Sequence, residues 1–115
     1  MTFQDKVRRL SGLYRAFNRR EIDRVLAAQS PAVRWPNVLE KSELRGHAAV
    51  RAYWLKQLET IEPHVEPVEF EERPDGVAVR VRQVVTVKAT GQVTESSVTH
   101  TYAFDDSLVT SMVVS

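Results

Sequence analysis

From Val65 to the C-terminus the side chains alternate with a period of two, and this constrains the fold more than any other feature of the chain. Gly76–Lys88, Gln92–Asp105 and Leu108–Val114 read as three long strands, joined only by Ala89-Thr90-Gly91 and Asp105-Asp106-Ser107. Connections this short fit antiparallel neighbours, because a parallel return needs a crossover of a dozen residues or more. Val65–Arg73 precedes them across a Pro74-Asp75-Gly76 turn, and its Pro67 favours an edge or irregular position. Such a meander has an apolar face to bury, so the first half of the chain must supply its cover.

That half reads as helices. Thr2 is a candidate cap with Asp5 three residues on, and Phe3, Val7, Leu10, Leu13, Tyr14 and Phe17 recur at helical spacing as far as Asn18. Ile22, Val25 and Leu26 restart the pattern in a short second helix, stopped by Ser30-Pro31. Ala32–Asn37 alternates as a short strand, and the polar stretch Val38–Arg45 reads as a loop. Gly46 then opens a third helix with the stripe Val50, Tyr53, Trp54, Gln57, Leu58 and Ile61, ended by Pro63. The expectation is a single α+β domain spanning 1–115, with three helices on one face of a curved, mainly antiparallel sheet.

Charge and composition narrow the function classes. The chain has 16 Lys+Arg against 15 Asp+Glu with the signs interspersed, which argues against a nucleic-acid binder. It has no cysteine, so disulfides, thiolate chemistry and cysteine metal sites are excluded. Its three histidines are far apart, with no tight His/Asp/Glu cluster, and its four glycines form no phosphate-cradling pattern. Neither a metal nor a nucleotide cofactor is expected. The charged start, Asp5, Lys6, Arg8 and Arg9, is unlike a signal sequence or a membrane span, so a soluble cytoplasmic protein is the expectation.

Three strand-like runs each carry one neutral polar residue on an otherwise apolar face: Asn37 after Val33 and Trp35, Gln83 among the valines of 77–87, and His100 within Val98-His100-Tyr102-Phe104. An unpartnered buried polar group costs about 1–3 kcal/mol, so the three are expected to converge on one another, on water or on a ligand. His100 is the candidate catalytic group, an imidazole able to donate or accept a proton. Asn37 and Gln83 are candidate ligand-binding amides that would orient a carbonyl or hydroxyl. Trp35, Tyr14, Phe17 and Trp54 are candidate walls of an aromatic cavity. Glu43, Glu66 and Glu72 are carboxylates that could complete a dyad with His100, whereas His47 and His64 lie outside the apolar stripes.

The element order, with Leu13-Tyr14-Arg15-Ala16-Phe17-Asn18, Glu21-Ile22-Asp23, Val33-Arg34-Trp35 and Leu44-Arg45-Gly46-His47-Ala48-Ala49-Val50, resembles the nuclear transport factor 2-like superfamily, and within it the SnoaL-like and ketosteroid-isomerase-like group. The resemblance implies a cone-shaped domain enclosing a pocket. It also covers isomerases, cyclases, dehydratases, epoxide hydrolases and non-catalytic members. The isomerases' helix tyrosine falls at Leu13, one residue before Tyr14; their strand-end aspartate falls at Asn37, and their late-strand aspartate at His100. Asn37 cannot abstract a proton, so ketosteroid isomerisation itself is not expected. The expected function is a pocket for a small hydrophobic molecule bearing a carbonyl or hydroxyl, with lyase, isomerase or cyclase chemistry through His100. The competing expectation is a non-catalytic binding or interaction module whose polar groups satisfy one another. Relatives with this fold pair sheet to sheet, which implies a homodimer through the outer face bearing Val84, Thr86, Thr99, Thr101, Val109, Ser111 and Val113.

Overall fold

The computed structural model describes residues 1–38 and 40–115. Helix α1 spans Phe3–Asn18, α2 Ile22–Ala27 and α3 His47–Gln57; the strands are β1 Gln29–Asn37, β2 Ser42–Arg45, β3 Ile61–Arg73, β4 Gly76–Val87, β5 Val93–Asp105 and β6 Leu108–Val114. Thr2 and Asp5 start α1 with a reciprocal capping box: the Asp5 N–H donates to Thr2 Oγ1 and the Thr2 N–H to an Asp5 carboxylate oxygen, each at 3.1 Å. The stripe seen in the sequence then buries Leu10, Leu13 and Tyr14 against the sheet.

All six strands form one sheet in the order β2-β1-β6-β5-β4-β3. β3 through β6 are the expected antiparallel meander, while β1 runs parallel to β6 and so closes the curved sheet around the helices. The valines of β4 at 77, 79 and 81 are completely buried, because β4 lies inside the sheet and its inner face meets α1. Gly76 is needed where β4 begins: a Cβ there would lie 1.8 Å from the Tyr102 carbonyl oxygen.

Several expected boundaries move for identifiable reasons. The polar stretch at 38–45 is not all loop: Ser42–Arg45 is β2, a short exposed strand paired with β1 from Arg34↔Arg45 to Asn37↔Ser42. Position 39 of that stretch lies outside the described residues. Helix α3 stops at Gln57 rather than at Pro63, and Pro63 instead belongs to β3. β3 is an edge strand, so both Pro63 and Pro67 are tolerated without breaking a central ladder, and the register slips between Pro67 and Glu69. β1 begins three residues earlier than the alternation suggested, at Gln29, with its irregular pairing between Gln29 and Arg34 accommodating Pro31.

Asn18, where the helical pattern ends, fastens α1 to this edge. Its Nδ2 donates to the Val65 carbonyl at 2.7 Å and its Oδ1 accepts from the Val65 N–H at 2.9 Å, so one side-chain amide stands in for a neighbouring strand. The expected outer face also needs one correction. A bulge in β6 pairs Ala103 with Ser111 but Phe104 with Val109, which turns Val109 inward, where it is completely buried.

Candidate functional site

Between the helices and the inner face of the sheet lies a cavity of about 310 Å³. Its walls come from α1 through Leu13, Tyr14 and Phe17, from β1 through Trp35, from α3 through Tyr53, Trp54 and Gln57, and from the inner faces of β3 to β6. Trp54 is the hub of the aromatic wall. It meets Phe17 edge-on at 5.6 Å and Trp35 edge-on at 5.3 Å between ring centroids. Exposure rises from 2% at Tyr102 to 59% at Val38, so the cavity is closed beneath Tyr102 and open beside the β1–β2 turn. No charged side chain is among the described residues that line it.

The closed end carries a chain of three polar side chains. Residues two apart on β5 share a face, so His100 and Tyr102 both point toward α1, where Tyr14 stands between them. The Tyr102 hydroxyl donates to the Tyr14 hydroxyl at 2.7 Å, and Tyr14 in turn reaches His100 Nδ1 at 2.8 Å. Tyr14 and His100 are nearly parallel rings, 14° apart, with centroids at 6.0 Å.

The direction of these bonds fixes the imidazole. Buried Tyr102 has a single hydroxyl proton and Tyr14 as its one side-chain partner among the described residues, so it donates; reversing the chain would strand that proton in the core at a cost of about 1–3 kcal/mol, whereas the donor left over in the forward direction belongs to half-buried His100, on the cavity lining, where water or a ligand can accept from it. Tyr14 must then spend its own proton on Nδ1. His100 is therefore the neutral tautomer with hydrogen on Nε2, and Nε2 makes no hydrogen bond with any described residue.

Burial reinforces this state. It holds His100 down at about 4, which keeps the ring uncharged at neutral pH. It also pushes the Tyr14 and Tyr102 hydroxyls above the usual phenol range, an effect that the adjacent Tyr102 strengthens for Tyr14. The arrangement presents an N–H donor in a low-dielectric cavity and supplies no charged acid or base.

Of the residues singled out in the sequence, His100, Tyr14, Trp35, Phe17, Trp54 and Gln83 all line this cavity. The expected convergence of His100, Gln83 and Asn37 does not occur. Gln83 faces the cavity but lies four residues along β4 from Val79, the cross-strand partner of His100, which separates them by about 13 Å along the sheet. Asn37 is a correction: its Oδ1 accepts from the Glu40 N–H at 3.2 Å in the β1–β2 turn, and it is not among the cavity-lining residues. At the end of β1 the turn, not the strand parity, decides where that amide points.

No dyad forms with the suggested carboxylates. Glu66 reaches Arg82 at 3.4 Å, Glu43 reaches Arg45 at 3.3 Å, and Glu72 is exposed. His47 Nε2 lies 3.0 Å from the Gln29 carbonyl, joining α3 to β1. The cavity-lining polar residues not singled out from the sequence are Tyr102 and the pair Tyr53–Gln57, in which Gln57 Nε2 donates to the Tyr53 hydroxyl at 3.0 Å. Tyr102 was signalled by its place two residues from His100, and Tyr53–Gln57 by their i,i+4 spacing. Among the described residues no group of three or more His, Asp or Glu side chains is placed to hold a metal ion, and no helix is long and apolar enough to cross a membrane.

Solved structures of the same fold cover nearly the whole chain. An NTF2-like protein of unknown function from Burkholderia pseudomallei is 25% identical, with a TM-score of 0.88 over 100% of this chain and 91% of that one. TerC, co-crystallised with polyporic acid, is 22% identical, with a TM-score of 0.86 over 96% and 90% of the two chains. A Mycobacterium tuberculosis protein in complex with estradiol-17β-hemisuccinate is 18% identical, with a TM-score of 0.80 over 94% and 90%. No curated protein matches the chain in sequence. The SnoaL-like domain, by contrast, matches residues 10–112. Nearly the full length, from the inward stripe of α1 to the buried Met112 of β6, thus carries the family's pattern, and the chain belongs to the SnoaL-like domain family.

Proposed function

We propose that this chain binds a small, largely hydrophobic organic molecule bearing a carbonyl or hydroxyl oxygen, with His100 Nε2–H donating to that oxygen. The observation that carries the reading is the chain Tyr102–Tyr14–His100, which commits the imidazole to donation into a cavity that otherwise offers aromatic and aliphatic walls. The volume lies at the lower end of the range for small-ligand sites, about 300–1,000 Å³. Gln83, Gln57 and Tyr53 supply neutral polar contacts elsewhere in the cavity. The ligands named for two structural relatives, polyporic acid and estradiol-17β-hemisuccinate, are oxygen-bearing molecules with large apolar frames and support the class.

If the protein is an enzyme of the lyase, isomerase or cyclase type, His100 polarises a carbonyl rather than acting as a strong base, since its free proton is on Nε2 and its pKa is held at about 4. A non-catalytic binding module is the second reading, and the lack of a charged side chain in the lining favours it. The proposal extends to a homodimer through the outer sheet face and to a cytoplasmic setting. Val84, Thr86, Thr99 and Thr101 are half-buried on that face with no helix over them, which supports the pairing.

The test is a pair of probes that differ in one acceptor. By NMR titration, 2-acetylnaphthalene should bind about 2–12-fold more tightly than 2-ethylnaphthalene, the value of one hydrogen bond, and His100→Phe should abolish the difference. Equal affinities for the two probes in the wild-type protein would contradict the donor role. Mass spectrometry of molecules that co-purify with the protein would then name the ligand.

A further inference from the structure

The side of α1 turned away from the cavity forms a second concavity with α2, of about 770 Å³, and its charge is one-sided. Arg8, Arg9, Arg15, Arg19 and Arg24 line it against the carboxylates of Asp5 and Glu21. The whole chain is formally +1, so this groove holds more than the entire excess of positive charge and the remaining surface is net negative. Arg8 pairs with Asp5 at 2.5 Å and Arg24 with Glu21 at 3.8 Å. Arg9, Arg15 and Arg19 make no ion pair among the described residues, and Arg9 Nε is buried without a hydrogen-bond partner. Three guanidinium groups in one groove without a carboxylate partner leave charge that an incoming anion can neutralise.

Gly12 lies in the interior of α1, where glycine costs helix stability relative to alanine. The fold does not require it: a Cβ at this position would meet nothing nearer than Arg15 Nη2 at 4.0 Å, and the backbone is ordinary helix. A glycine that packing does not demand, on the wall of an arginine-lined groove, leaves room for another chain to approach the helix backbone.

We infer that this α1–α2 groove is a docking surface for an acidic peptide segment of a partner protein, lying extended along α1. Arg8, Arg15 and Arg19 span about 16 Å of helix, and carboxylates at alternate positions of an extended peptide recur about every 7 Å, so two or three of them can reach successive guanidinium groups. A nucleic-acid strand fits less well, because no aromatic side chain is among the described residues lining the groove to stack a base.

Fluorescence anisotropy with a labelled octapeptide carrying glutamate at alternate positions tests this directly. The expected result is saturable binding that weakens with added salt, falls about tenfold or more in Arg15→Glu/Arg19→Glu, and falls about threefold or more in Gly12→Leu, which keeps the helix and fills the floor. Thermal melts should show Gly12→Leu to be at least as stable as the wild type; if the charge-reversed protein does not fold, Arg15→Gln/Arg19→Gln replaces it with the same expectation. Arg34→Glu/Arg45→Glu, on the β1–β2 hairpin, should leave binding unchanged. Three results would overturn the inference: no saturation up to about millimolar peptide, an equal loss from the hairpin reversal, or tighter binding of a labelled eight-nucleotide thymidine strand than of the peptide.

Discussion

His100→Gln should change how the protein's stability depends on pH, and the size of the change follows from where His100 sits. In the folded chain burial holds the imidazole at about 4, whereas an unfolded histidine titrates near 6.5. Between those values the unfolded state binds a proton that the folded state refuses, so stability falls as the pH falls. Above about pH 6.5 His100 is neutral in both states and imposes no penalty. Below it the penalty grows by about 1.4 kcal/mol per pH unit, and it levels off below about pH 4 near 3 kcal/mol. Gln retains a donor and an acceptor but does not titrate. Urea unfolding at half-unit steps from pH 7.5 to 4 isolates the effect, because every other titratable group is common to the two proteins. The stability of the wild type relative to His100→Gln should therefore decline by about 3 kcal/mol across that range. A difference that stays constant would show that His100 is solvated in the folded protein, and one that grows in favour of the wild type as pH falls would show an imidazolium stabilised by the fold; either refutes the part-buried, neutral assignment.

Other consequences of the same geometry are open to direct measurement. Tyr14→Phe leaves both the Tyr102 proton and His100 Nδ1 without a partner and should cost about 2–5 kcal/mol, against about 1 kcal/mol for Tyr102→Phe; the double variant should be less destabilised than the sum, and strict additivity in urea unfolding would mean the three groups are not linked. Gly76→Ala should lose about 3 kcal/mol and disturb the Tyr102 resonances, because its methyl group collides with the Tyr102 carbonyl; wild-type stability would contradict the close approach. Val84→Glu should lower the dimer fraction by light scattering at tens of micromolar while leaving the monomer folded, and a wild-type protein that is monomeric there would remove the proposed interface. Val109→Glu, by contrast, places a carboxylate in the core and should prevent stable folding rather than report on association.

The distribution of these effects shows which levels of structure a single sequence exposes. Period-two runs separated by two or three turn residues specify neighbours on the sheet, so β3 to β6 and their inner face, including Gln83, His100 and Tyr102, were readable. Ser42–Arg45 was not, because a four-residue strand with Leu44 as its one apolar side chain has no alternation to reveal. The parallel pairing of β1 with β6 joins residues about 80 apart and leaves no local trace. Parity also fails wherever the backbone slips: the bulge in β6 sends Val109 to the core, and the turn after β1 takes Asn37 for itself. The site was legible as a face but not as a network. Nothing local in the chain says at which height α1 crosses β5, and that height makes Tyr14 rather than Gln83 or Asn37 the partner of His100. Leu13 and Tyr14, adjacent on α1, both line the cavity, and of the two only Tyr14 has a hydroxyl to extend.

Donation to a ligand's oxygen depends on which nitrogen of His100 carries the proton, and a long-range proton–nitrogen NMR correlation on uniformly labelled protein at pH 7 reads it directly. His100 should show a protonated Nε2 and an unprotonated, hydrogen-bonded Nδ1, and on addition of 2-acetylnaphthalene the Nε2–H resonance should move more than that of either of the other two histidines. A proton on Nδ1, a doubly protonated ring, or an Nε2–H indifferent to the ketone would contradict the assignment of His100 as the donor that meets a ligand's oxygen.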